Sequence, residues 1–353
     1  MRRIPIIFDV DTGIDDATTL MMACASDTLD ILGVTVSYGN NVLEKTLSNT
    51  LNVLKLCGRE EIPVAAGADK PLHRSMDRDG EMEAGGMVVH GENGLGGYTF
   101  PEGMDESSKT ALQKEKAWDF VYRTIREYQT PVVYCCLGPL TNAALLLQKY
   151  PDAGRYLKCF VNMGGYIREG TLSPMSSVNI FYDAHGAEIV MGSGIPFYMC
   201  PGDLTGDALI TLEEMEAMKA FHSPVGRAAC EMVHAYYRTC SALGEHMVHG
   251  LVGQSMHDNC ALAFIEHPEL FTYGRYYCRV ESQSELCVAM TVIDYEDTLR
   301  LPVEEKNLFF VDTVDREGFA AYFMECFRKY EGLSERGEEY DREERTYSGA
   351  AGL

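Results

Sequence analysis

Residues 4–17 read IPIIFDVDTGIDDA. Ile4–Val10 is apolar at nearly every position, the pattern of a strand covered on both faces in a parallel sheet. Asp9 stops the run, Gly13 permits a tight turn, and Asp15 and Asp16 open a helical pattern over 15–26, where the helix dipole favours negative charge. The same alternation continues outward. Apolar runs at 31–36, 131–137, 158–163 and 195–199 predict further buried strands, and helical spacing at 43–57, 114–128 and 140–149 predicts helices between them. The class is therefore α/β: an open, mostly parallel central sheet with helices on both faces, whose ligand site lies at the strand ends.

The first strand end carries the chemistry. Asp9, Asp11, Asp15 and Asp16 fall within eight residues. Two carboxylates ~4 Å apart repel by about 4 kcal/mol at an effective dielectric near 20, so four cannot converge without protons or a cation. The donors are oxygen only. That implies a hard divalent ion, Ca²⁺ ahead of Mg²⁺, because zinc would want His or Cys.

Composition narrows the field. The chain has 353 residues and a formal net charge of −23, which excludes a general nucleic-acid binder and a polybasic membrane anchor. No apolar stretch approaches the ~18 to 20 residues of a membrane span. The run after Arg2–Arg3 is too short for a signal peptide, and the 12 cysteines form no C-x-x-C, so a reducing cytosol is expected. Residues 1–331 read as one domain, and the charged, apolar-poor 332–353 as a disordered tail. The Gly-rich stretch 73–100 is a candidate lid or binding loop, 275–281 and 286–294 read as short strands, and 319–330 as a closing helix.

DVDTGIDDA resembles the D-x-D-x-G-x-D-D-A signature of inosine–uridine-type nucleoside hydrolases. The likeness continues in order through SYGN at 37–40, VHGENGLGG at 89–97, LGPLTN at 137–142, MGG at 163–165, SVNIFYD at 177–183, His257–Asp258 and MTVID at 290–294. It spans roughly residues 4–330. The resemblance implies hydrolysis of the N-glycosidic bond of a ribonucleoside or related N-riboside with one Ca²⁺ per chain. Carried over by position, Asp11, Asp16, Asp258 and the Leu137 carbonyl would hold the metal. Asp15, Asn40, Asn179 and Asp258 would hold the ribose hydroxyls, with Met163, Ser177 and His90 also on the substrate side and Asp9 supporting. Asp11 would be the general base and His257 the acid for the leaving base. His234, Tyr236 and Tyr237 lie where the family places base-contacting aromatics, although helix-core packing is the preferred reading of them. By analogy the protein would be a cytoplasmic homodimer or homotetramer in nucleoside salvage.

One departure stands out. Thr171 and Ser177 occupy positions where family members carry Asn and Glu that grip the 5′-hydroxyl, and Arg168 nearby offers a charge for a 5′ anion. The expectation is a substrate other than a plain common nucleoside. Two alternatives compete: a non-catalytic nucleoside or sugar binder on the same fold, and a haloacid-dehalogenase-like phosphatase. The latter wants Thr or Val where Gly13 stands.

Overall fold

A computed structural model describes residues 3–73, 88–101, 112–167, 170, 175–244 and 247–349, with backbone alone beyond 332. The first half alternates as expected: β1 (Ile4–Val10), α1 (Ile14–Cys24), β2 (Leu29–Val36), α2 (Leu43–Leu56), β3 (Val64–Ala66), α3 (Ala117–Glu127), β4 (Val132–Cys136), α4 (Thr141–Lys149) and β5 (Leu157–Met163). Short helices α5 (Val178–Tyr182) and α6 (Ala184–Met191) lead to β6 (Phe197–Cys200) and the one-turn α7 (Gly202–Thr205). Then come β7 (Leu209–Thr211), α8 (Leu212–Ala217), α9 (Pro224–Leu243), β8 (Met247–Val248), β9 (Leu251–Ser255) and α10 (His257–Glu266). The chain closes with β10 (Phe271–Tyr276), β11 (Cys278–Val280), β12 (Thr291–Ile293), β13 (Leu308–Val314) and α11 (Arg316–Gly349).

The central sheet runs β10-β13-β6-β5-β4-β1-β2-β3, and every neighbouring pair is parallel except β10 with β13. Its strands are apolar throughout because both faces are covered. In β1, Ile6, Phe8 and Val10 join the core on one side, and Ile7 joins the core on the other. In β4, Val133 and Cys135 face one way, and Val132, Tyr134 and Cys136 the other. From β1 the chain winds outward through β2 to β3, then returns to β4 and winds the opposite way. The crevice at the carboxyl ends of β1 and β4 is thus the topological switch point, where open α/β sheets bind ligands.

Helix α1 is buried from Ile14 through Ala23, between α2, α9, α10 and α11. Helix α9 has clear ends: Ser223 Oγ accepts from Gly226 N at 3.0 Å, Pro224 takes the first turn, and Gly244 stops the helix at φ +90°. None of the twelve cysteines forms a disulfide. No described helix is long and apolar enough to cross a membrane.

Three expectations need adjusting. The stretch 275–281 is two strands in different sheets, parted at Tyr277, because the Asn307 side chain bonds both Cys278 N (2.9 Å) and Cys278 O (3.0 Å). Of 286–294 only Thr291–Ile293 is strand, since Ala289 lies at φ +64° and turns the chain. The backbone of α11 continues past Gly332 to Gly349, where charge alone predicts no order. That segment is rich in Glu and Arg, which favour helix even without an apolar face. Of the 73–100 loop, 74–87 lie outside the described residues.

Candidate active site

The turn from β1 into α1 is built around Asp16. Its carboxylate accepts from Gly13 N (2.9 Å) and Asp11 N (3.2 Å), capping α1, and from Asn40 Nδ2 (3.1 Å). The Asn40 backbone N–H donates to Asp11 Oδ2 at 2.7 Å, so one asparagine after β2 ties the two carboxylates together. Asp11 lies in a backbone sleeve. A Cβ at Gly39 would come within 1.9 Å of Asp11 Oδ2, and one at Gly138 within 2.7 Å of Asp11 Oδ1.

Helix α10 enters from the other side and brings His257 and Asp258. One carboxylate oxygen from each of Asp15, Asp16 and Asp258 lies within 4.8 Å of the others, and all three residues are buried. This close trio contains Asp15 in place of Asp11, which the resemblance puts among the metal ligands. Asp11 remains next to it through Asn40. Burial raises the pKa of all four carboxyls; repulsion from neighbouring carboxylates adds to it at Asp11, Asp16 and Asp258, whereas His257 partly offsets it at Asp15. Asp11 and Asp258 are pushed well above the usual range, Asp15 upward, and Asp16 to about 6. Asp11 Oδ1 and Asp15 Oδ1 have no hydrogen-bond partner although both are buried. Such groups are costly unless something pairs with them, and an oxygen-only set of this charge fits a hard divalent cation.

Asp9, one strand pair deeper, is a supporting group. Its Oδ1 accepts from Thr35 Oγ1 (2.6 Å) and Asn142 Nδ2 (2.8 Å), and burial lifts its pKa to about 7. On the β4–β5 side, Asn179 Nδ2 donates to the Leu137 carbonyl and to Met163 O at 3.0 Å, and meets Met163 Sδ at 3.5 Å. Ser177 Oγ accepts from Gly165 N at 2.7 Å. Leu137, Met163, Ser177 and Asn179 therefore form one connected wall. Thr171 and Arg168 lie outside the described residues.

The remaining side holds two imidazoles. His90 Nδ1 accepts from Ile14 N at 3.2 Å, at the start of α1. Burial lowers its pKa to about 4, so it is neutral near pH 7. His257 is depressed by burial as well, and it lies within electrostatic reach of Asp15 and His90. Of the three α9 residues singled out, Tyr236 stands beside His90, with ring centroids 5.3 Å apart. His234 Nδ1 instead donates to Cys230 O of its own helix (2.8 Å), and Tyr237 packs against the core. Sequence reasoning missed Thr205, whose hydroxyl lies 2.8 Å from His257 Nδ1. No local pattern signals it, because the contact spans 52 residues.

Comparison with known proteins places the chain as a whole. A family model described as "Inosine-uridine preferring nucleoside hydrolase" matches residues 6–321. The pyrimidine-specific ribonucleoside hydrolase RihA of Citrobacter koseri is 36% identical over 327 residues, covering 93% of this chain and 99% of the relative. RihA of Escherichia coli O1:K1 matches to the same extent, 36% over 327 residues. Among solved structures, a purine-preferring ribonucleoside hydrolase from Gardnerella vaginalis is 26% identical with a TM-score of 0.82, covering 92% of this chain and 98% of its own. The plant nucleoside hydrolase PpNRh1 is 25% identical with a TM-score of 0.77, covering 91% and 98%.

Proposed function

The chain belongs to the inosine-uridine preferring nucleoside hydrolase family and hydrolyses the N-glycosidic bond of ribonucleosides; from that premise we propose a Ca²⁺-dependent reaction with Asp11 as general base. The observation that carries this is the buried Asp15–Asp16–Asp258 trio, its oxygens within 4.8 Å, beside the unpartnered Asp11 Oδ1. Asp11, Asp16, Asp258 and the Leu137 carbonyl would hold the ion, with Asp15 close enough to join them. When bound, the ion supplies Lewis acidity, which lowers the pKa of water and orients a vicinal diol.

The chain's own groups do the rest. Asp11 Oδ1 accepts the proton of the attacking water. Its other oxygen is fixed by Asn40 N, so the base cannot turn away. Asp15, Asn40, Asn179 and Asp258 hold the ribose hydroxyls and orient the ring, a proximity effect. The surrounding carboxylates favour the positive charge that develops on the sugar as the base departs. His257 hydrogen-bonds the leaving base, and His90 lines that side with Tyr236. Asp9, gripped by Thr35 and Asn142, keeps the end of β1 in place.

The family match leaves no room for the phosphatase, and the intact acidic cluster speaks against the non-catalytic binder, since binding alone needs no metal-activated water. The base is read from the 36%-identical relatives, which are named pyrimidine-specific, so uridine and cytidine are the first substrates. At the 5′ end, Ser177 stands where family members carry a carboxylate and its hydroxyl is taken up by Gly165 N, which supports a substrate altered at that position. A cytoplasmic homodimer or homotetramer, in nucleoside salvage, completes the reading. Cysteines without disulfides fit that compartment, and light scattering tests the assembly.

The experiment is release of free base from a panel of ribonucleosides, 5′-deoxynucleosides and 5′-monophosphates, with and without a Ca²⁺ chelator. Turnover that stops on chelation and returns with Ca²⁺ is expected. Undiminished turnover in chelator overturns the metal assignment. Inosine or uridine cleaved far faster than every 5′ analogue overturns the 5′ reading.

A further inference from the structure

Thr205 occupies the last position of α7, fully buried, with its hydroxyl 2.8 Å from His257 Nδ1. The turn that carries it is pinned on two sides. Toward the β5 end, Gly202 N donates to Gly165 O (2.9 Å), and Asp203 Oδ2 accepts from Ile167 N (2.7 Å). Toward α10, Ser255 Oγ donates to Gly206 O (2.6 Å), and Met256 N donates to Ala208 O (2.9 Å). The hydroxyl is thus set by the framework, while the imidazole it meets is half-buried at the site. The two ring nitrogens point to different sides of the ring. With Nδ1 engaged at a buried hydroxyl, the Nε2 edge is what remains to face the site. A ring freed from Thr205 would find a competing partner in Asp15, its neighbouring charge.

We propose that Thr205 is a positioning residue that holds the His257 imidazole with its Nε2 edge toward the departing base. A hydroxyl both donates and accepts, so it serves either ring tautomer, and what it secures is orientation. This inference rests on the reading of His257 as the hydrogen-bond donor to the leaving base. Its consequence is selective. Help to the leaving group matters when the group is a nucleobase and not when it is a good leaving anion. A general distortion of the site slows both.

The test measures kcat and KM for Thr205→Val, Thr205→Ser and His257→Ala on uridine and on 4-nitrophenyl β-ribofuranoside, whose phenolate departs unaided. For Thr205→Val, kcat on uridine should fall ~10-fold, the scale of one lost buried hydrogen bond, with KM and the nitrophenyl substrate within about twofold. Thr205→Ser should restore most of the rate, and His257→Ala should show the same selectivity with a larger loss. The double variant should be no slower than His257→Ala, and Thr205→Ala, which removes the hydroxyl without adding a methyl group, keeps the question answerable by the same selectivity if Thr205→Val is poorly folded. If His257→Ala is selective but Thr205→Val slows both substrates equally, or neither, the positioning role is overturned. If His257→Ala slows both equally, the reading of His257 itself fails.

Discussion

The two ends of α10 treat their carboxylates in opposite ways. At its start, Asp258 is buried against Asp15 and Asp16, and neighbouring carboxylate oxygens on Asp11 and Asp15 lack partners. At its finish, Glu266 accepts from the hydroxyls of Ser26, Thr28 and Tyr322, which tie the helix to the β2 entry and to α11. Both ends hold acid, but only one is satisfied by the protein itself. A satisfied carboxylate stabilises the fold. An unsatisfied buried cluster costs stability and so points to a ligand that completes it.

The sharpest break between the two ends comes from Asp11→Ala. It should abolish turnover while the circular-dichroism spectrum and cooperative melting persist; a variant within roughly tenfold of wild type, a barrier change of about 1.4 kcal/mol, removes Asp11 as base. Next is pH. In chelator, the site carboxyls bind protons in the folded state up to about 6 for Asp16 and about 7 for Asp9, against an unfolded value near 4. Between those limits these carboxyls hold more protons in the folded state, so their contribution to stability is greatest below about pH 4 and is lost as pH rises to about 7, opposed in part by His90, whose lowered value of about 4 makes its own contribution grow with pH. Saturating Ca²⁺ should flatten or reverse that slope in thermal melts; an unchanged slope denies that the ion binds these carboxylates. Glu266→Ala tests the satisfied end. Stability should drop by roughly 1–3 kcal/mol as three hydroxyls lose their acceptor, with kcat nearly unchanged. A large loss of kcat at normal stability would erase the distinction between the ends. The smallest effect is expected far from both, at Leu286, which is 76% exposed: Leu286→Ser should shift stability by less than about 0.5 kcal/mol in urea unfolding.

What could be read in advance follows the same division. The parallel strands were legible because burial on both faces leaves no polar position to blur the run, as in Val132–Cys136. The edge strand β3 was not, since three residues after Pro63 carry no period. The acidic turn announced a cation, but which oxygens converge depends on how α1 is capped. Asp16 faces back to Gly13, and Asp15 falls in beside Asp258. Thr205 was invisible because it works through contacts that only the neighbouring placement of α7 and α10 creates. The Asn179 contacts with the carbonyls of Leu137 and Met163 were equally hidden, being side chain to backbone across three elements.

The sleeve of glycine backbone around Asp11 has a consequence for redesign. With no space for even a methyl group at Gly39 or Gly138, the floor of the pocket tolerates no decoration. If the proposed site is right, altered selectivity must therefore be engineered from the rim, where His90 of the 88–101 loop meets Tyr236 of α9, leaving the acidic floor as a fixed module onto which different rims are grafted.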